Sequence, residues 1–118
     1  MLIGKTPLRI SFAGGGTDLA EYYEKYEGKT ITFTIDKFTY VVVKFRNDGK
    51  FQGFSPDFAS HHPPKGFRKL EDIPGHEIAI SAVSELGLKR GIDMFFCSDV
   101  SPGSGLGASS SLATNLVN

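Results

Sequence analysis

Glycine at every second position, between an apolar run and a helix-like segment, sets the strongest constraint on how this chain folds. The stretch reads Pro102-Gly103-Ser104-Gly105-Leu106-Gly107-Ala108-Ser109-Ser110. Residues 92–97 before it are apolar and strand-like, and residues 108–118 after it read as a helix. A strand-to-helix turn made of glycines lets the backbone take φ > 0 and come close to a ligand. The first N–H groups of the following helix have no internal partners and carry the positive end of its dipole, so an anion is stabilised there. Pro102 stiffens the approach and Leu106 is the one apolar anchor. Hydroxyls at 109, 110 and 111 stand in the first helical turn, where phosphate oxygens or a magnesium ion would lie. A tight structural turn with Ser109 or Ser110 capping the helix is the plainer reading of the same residues.

Two familiar phosphate motifs do not fit. A Walker loop ends in Gly-Lys-Ser/Thr, and no lysine occurs from Gly91 to Asn118. The dinucleotide fingerprint is met only loosely by Gly103, Gly105 and Ala108, and its ribose-binding acid about 20 residues on would lie past Asn118.

The charge balance makes any anion site a local one. Thirteen Lys and Arg offset thirteen Asp and Glu across 118 residues, which removes the electrostatic case for nucleic acid or an anionic membrane surface. Cys97 is the single cysteine and sits in an apolar strand, so it reads as a small core residue without an internal disulfide. With no signal-peptide pattern and no long apolar span, the chain reads as one cytoplasmic domain.

A second glycine patch lies near the start. Residues 2–13 read as a strand, with Leu8, Ile10 and Phe12 on one side and Arg9 and Ser11 on the other, well paired only after Pro7. Gly14, Gly15 and Gly16 break it, Thr17 or Asp18 can cap the next segment, and Leu19, Tyr22, Tyr23 and Tyr26 suit a short helical piece there. Residues 30–35 and 38–46 read as two strands joined across Asp36-Lys37, and Asn47-Asp48-Gly49 turns the chain into a third at 51–54, a three-strand meander. Residues 55–73 read as a loop, in which adjacent His61 and His62 lack metal-ligand spacing. Pro74-Gly75 starts a helix through Leu86, stopped by Gly87, with Lys89 and Arg90 at its negative end. The order predicts an α+β domain, a mostly antiparallel sheet with helices on one face.

The two glycine patches together resemble the first two motifs of the GHMP kinases, the superfamily of galactokinase, homoserine kinase and mevalonate kinase. Residues 102–110 resemble that superfamily's second motif, Pro-x-Gly-x-Gly-Leu-Gly-Ser-Ser: Gly103 to Gly107 match its Gly-x-Gly-Leu-Gly, the proline stands one position closer, at 102, and Ala108 takes the place of its first serine. Residues 7–18 resemble the first motif in the variant of the heptose-phosphate kinase and fucokinase branch. The resemblance implies the GHMP kinase N-terminal, ATP-binding domain, a ribosomal protein S5 domain 2-like fold, and transfer of the ATP γ-phosphoryl group to a sugar or sugar-phosphate hydroxyl. By it, residues 102–110 (Pro102, Gly103, Ser104, Gly105, Leu106, Gly107, Ala108, Ser109 and Ser110) hold the phosphates, and Ser109 is a ligand to Mg2+. Arg9 stands by the transferred group, and Asp18, with Gly15, Gly16 and Thr17, faces the sugar. On residue chemistry alone, Asp18 is a helix cap and Arg9 a solvated strand residue.

Galactokinases carry an acid and a histidine where this chain has Gly15 and Gly16, so only Asp18 carries over as a hydroxyl-binding residue. The family's catalytic aspartate, magnesium-binding acid, third motif and C-terminal domain find no match in residues 1–118, and the helix opened at Ala108 runs for about three turns. The chain is therefore expected to be incomplete at its C-terminus. As it stands it is expected to be inactive, dependent on the missing part of the kinase or on self-association. The alternative is a non-catalytic nucleotide- or phosphate-binding module that acts with a partner.

Overall fold

The computed structural model describes residues 1–58, 60–61, 63–66, 76–88 and 90–117. Strand β1, Leu2–Ala13, pairs antiparallel with β2, Ile31–Arg46. Between them lie a 3-10 turn, Gly15–Asp18, and a short helix α1, Ala20–Tyr23. Strand β3, Lys50–Ser55, is followed by a 3-10 turn, Pro56–Phe58, and by β4, Ser60–His61, and β5, Lys65–Gly66. Helix α2 spans Glu77–Glu85, β6 spans Gly91–Ser98 and helix α3 spans Ala108–Val117. The sheet order is β1-β2-β6-β3-β4, with β5 also paired to β3.

The architecture is the expected α+β one, with several details changed. Pairing starts at Leu2, not after Pro7, because β1 is an edge strand in which the missing proline N–H removes no ladder bond on the outer side. The two strands expected at 30–35 and 38–46 are one 16-residue strand, and Asp36-Lys37 falls where the register jumps from Pro7↔Phe38 to Arg9↔Thr34. That jump is a bulge, which absorbs extra residues without ending the strand. The expected meander does not form. Strand β6 lies between β2 and β3, antiparallel to the first and parallel to the second. A parallel β3–β6 pair needs a crossover, and α2 supplies it. The segment expected as loop contributes the two short strands on the outer edge of β3.

The core forms where Val41, Phe51, Ile92, Met94 and Phe96 meet Ala79 and Val83 of α2, with Leu112 and Leu116 of α3 packed against them. Burying each such side chain contributes roughly 1.5–3 kcal/mol. Leu8 is buried as its alternation suggested, whereas Phe12 is 67% exposed because β1 and β2 run on beyond the reach of β6 as a two-stranded ribbon. Helix α2 ends in a Schellman motif: Leu88 N–H donates to Val83 O and Gly87 N–H to Ser84 O, with Gly87 at φ +60. The helix start expected at Pro74-Gly75, His62 and Lys89 lie outside the described residues. No described helix is long and apolar enough to cross a membrane.

Candidate functional site

Strand β6 delivers the chain into the glycine loop, and α3 begins at Ala108, directly after Gly107. Gly103, Gly105 and Gly107 hold φ of 79, 73 and 77, so all three alternate glycines occupy the left-handed region. L-residues pay about 1–2 kcal/mol to stand there, which explains the glycines without appeal to space. Nothing lies within 4 Å of a Cβ built at Gly103 or Gly105, and that side of the loop is open. The first helical hydrogen bond runs from Ser111 N–H to Gly107 O at 2.9 Å, so the N–H groups just before it face no helical acceptor. The leading side of the loop is fixed by Asp99, whose carboxylate accepts Phe38 N–H at 2.9 Å while its own N–H donates to Phe38 O.

Arg9 joins the first glycine patch's strand to this loop. Its main-chain N–H donates to Leu106 O at 3.1 Å, and its guanidinium reaches Gly105 O at 3.5 Å. A Cβ on Gly107 would stand 3.3 Å from the guanidinium carbon. Arg9 and the loop together line one side of a cavity of about 640 Å³. Its walls include Phe96, Ile78, Ala79 and Leu112, and its polar groups include Asp57, His76, Glu77 and Ser109. An apolar cavity of this size with a few convergent polar groups suits a small organic ligand, and the loop along one side suits an anionic end.

Several wall residues carry no sequence signal. Asp57 accepts Ser98 N–H at 2.7 Å, in the segment expected as plain loop. His76 is 1% exposed, its ring edge-on to Phe96 at 5.1 Å, where a Cβ on Gly53 would come within 2.4 Å of it. Neither is foreseen by spacing, because the contact joins β3, α2 and β6, which are distant in sequence. Cys97 is half-buried on the wall rather than in the core, and burial, then the Asp57 and Asp99 carboxylates, push its thiol pKa up.

Of the loop residues, Pro102, Gly103, Ser104, Gly105, Gly107, Ala108 and Ser109 line the cavity; Leu106 and Ser110 do not. Ser109 and Ser110 are exposed, whereas Ser111 is buried and bonded to Thr39 Oγ1 at 2.8 Å. The first patch is built differently. Gly14 takes φ 84 with its Cα against Lys29 O, and the Thr17 hydroxyl accepts Lys29 N–H at 3.0 Å and lies within 2.9 Å of the Gly14 and Lys29 carbonyl oxygens. Thr17 thus ties the turn to the chain at 28–30 and, like Asp18, caps no helix. Gly15, Gly16, Thr17 and Asp18 are not among the residues that line the cavity. Among the described residues, no three His, Cys, Asp or Glu side chains cluster as a metal site.

No family model matches the chain. It is 33% identical over 120 residues to the D-glycero-alpha-D-manno-heptose 7-phosphate kinase of Campylobacter jejuni, covering 96% of this chain and 35% of that protein. The chain thus spans about a third of the length of the curated relative it matches. Among solved structures it superposes on a D-glycero-D-manno-heptose 1-phosphate kinase from Bacteroides thetaiotaomicron with a TM-score of 0.80 at 23% identity, over 98% of this chain and 40% of that one. It superposes on the Methanococcus jannaschii mevalonate kinase with a TM-score of 0.74 at 16% identity, over 98% and 38%. At those identities the structural likeness establishes a shared fold, and the sequence match adds the heptose-phosphate kinase resemblance.

Proposed function

We propose that this chain, whose sequence resembles a heptose-phosphate kinase and whose fold is that of the GHMP kinases, binds ATP and serves phosphoryl transfer to a sugar phosphate. Residues 1–118 are proposed as the ATP-binding domain. The observation that carries the reading is the run of left-handed glycines at 103, 105 and 107 opening into the N-terminus of α3, with Arg9 beside it on the cavity wall. Backbone N–H groups of residues 103–110 meet the phosphates, and the apolar wall of Phe96, Ile78 and Leu112 receives the base. Arg9, held by Leu106 and Gly105, places its guanidinium where charge builds on the transferred group, which is how such reactions are mainly accelerated. Phosphoryl transfer itself draws on ATP.

Magnesium fits one donor of this chain. It prefers oxygen ligands and keeps several waters alongside substrate phosphates, so it needs no protein cage. The exposed Ser109 hydroxyl on the cavity wall supplies one such oxygen. Asp18, with Gly15, Gly16 and Thr17, is proposed for the sugar, since β1 leads from Arg9 directly into that turn. The catalytic base is proposed to come from outside these residues, as the kinase resemblance implies; the carboxylates on the cavity wall are Asp57, which accepts Ser98 N–H, and Glu77. The same observation leaves room for a binding module that works only with a partner chain.

Calorimetric titration of ATP, with and without magnesium, into the wild-type chain and Arg9→Ala tests the proposal. Saturable binding that weakens about tenfold in Arg9→Ala is expected, the loss of one charge-assisted contact worth roughly 1.5–3 kcal/mol less partial compensation by solvent. Absence of wild-type binding, or binding indifferent to Arg9, contradicts it.

A further inference from the structure

We infer that Ser111, through its bond with Thr39, is a positioning residue that aims the phosphate loop; the inference rests on the nucleotide reading above. Ser111 does not line the cavity, yet it is 6% exposed and Thr39 only 3%, and buried hydroxyls persist where they are bonded. Four oxygens converge on one point. The Ser111 Oγ lies 2.8 Å from Thr39 Oγ1 and 3.2 Å from both the Thr6 and Pro7 carbonyl oxygens. One hydroxyl donates to the other, and the second proton is left for a Thr6 or Pro7 carbonyl oxygen. The contact sits at the Thr6↔Thr39 pair and Pro7, just before the β1–β2 register jumps, so the helix is fastened beside the irregular point of the ribbon.

The consequence is geometric. One turn further along α3, Asn115 Nδ2 donates to Thr39 O at 3.3 Å, and Gly4 leaves the room, since a Cβ there would stand 1.8 Å from Asn115 Oδ1. On the other side of the loop, Arg9 N–H holds Leu106 O. Only residues 107–110 lie between the two anchors, and these carry the N–H groups that have no helical acceptor. Without the Ser111 bond, packing of Leu112 and Leu116 still keeps α3 on the sheet, because apolar contact is non-directional. What is lost is the direction in which the helix end points. Loop and hydroxyl pair therefore form one unit, with specificity for phosphate charge and none for the base.

The test separates aim from stability by using two probes. Inorganic tripolyphosphate reads the loop, and adenosine reads the cavity wall. Both are titrated into wild type, Ser111→Ala, Thr39→Val, the double variant and Thr114→Ala, an exposed residue of the same helix. Ser111→Ala is expected to weaken tripolyphosphate about tenfold while adenosine changes less than about twofold, and the double variant is expected to be no weaker than the worse single one. Thr114→Ala leaves both unchanged. Equal loss of both probes, in step with a lower melting temperature, shows a purely structural serine and overturns the inference. Wild-type affinity for tripolyphosphate in Ser111→Ala overturns it as well. If wild type binds adenosine and no tripolyphosphate, the phosphate reading of the loop falls first and the inference with it. Should Ser111→Ala not fold, the nearly isosteric Thr39→Val decides by the same comparison.

Discussion

Replacing Gly105 by alanine isolates the conformational cost of the phosphate loop. Its φ is 73 and nothing lies within 4 Å of the added Cβ, so no clash enters and only the left-handed backbone resists the change. That resistance is about 1–2 kcal/mol, which in a domain of this size lowers the melting temperature by about 4 °C per kcal/mol. Gly107 differs in kind. Its φ is 77, and a Cβ would also stand 3.3 Å from the Arg9 guanidinium, which must give way by a few tenths of an ångström. Gly107→Ala should therefore cost at least as much stability as Gly105→Ala and, in addition, displace Arg9 from the cavity wall. Gly66→Ala, at open space and without a positive φ, is the reference and should lie within about 0.5 kcal/mol of wild type. Thermal melts of the three variants, followed by ATP titration well below each midpoint, give both quantities. Equal melting temperatures for all three would refute the claim that the loop holds its left-handed glycines in solution. Unchanged ATP affinity in Gly107→Ala would refute the placement of Arg9 at the ligand.

Other perturbations have expected outcomes of their own. Arg46 holds the Asp48 carboxylate well below the usual carboxylate range through its hydrogen bonds, against the opposing effect of desolvation. A depressed folded-state pKa contributes stability above the unfolded value of 3.8 and loses it as pH falls below that; Asp48→Asn should flatten the acid limb of a melting-temperature profile below about pH 4. Ser109→Ala should leave the melting temperature unchanged, since the side chain is exposed, while weakening ATP binding measured with magnesium and leaving that measured without magnesium unchanged. Cys97 should alkylate more slowly than a free thiol at pH 8, with a reactivity midpoint above the usual value, and more slowly again under saturating ATP, as mass-spectrometric time courses would show. The 118-residue chain alone should give no sugar-phosphate-dependent turnover in a coupled assay, because phosphoryl transfer needs an oriented nucleophile and the catalytic aspartate that the kinase resemblance implies has no match in these residues.

Local patterns are legible in the sequence and long-range neighbours are not. The loop glycines, the strand before them and the helix start at Ala108 follow from punctuation and periodicity within about twenty residues. Strand β6 between β2 and β3 is hidden, because Asn47-Asp48-Gly49 is a strong hairpin signal and nothing local announces that the partner strand arrives far downstream at Gly91–Ser98. Asp36-Lys37 reads as a turn since a bulge and a turn use the same polar residues. Arg9 can be placed by resemblance, and the structure adds the bonds to Leu106 and Gly105 that hold it. Ser111 departs from the expectation that places the hydroxyls at 109, 110 and 111 alike at a phosphate or magnesium ion: among three adjacent serines, composition cannot tell which one α3 turns inward. The one that does is buried and bonded to Thr39.

Backbone amide chemical shifts recorded during titration with magnesium-ATP test the account most directly. Phosphates bound at the glycine loop should move the amides of Gly103, Gly105, Gly107 and Ser109 saturably and together, with smaller changes at Phe96 and Ile78 on the cavity wall. Perturbations confined to the β1–β2 ribbon or the outer edge of β3, with those four amides unmoved at saturation, would contradict the claim that this loop is the phosphate site.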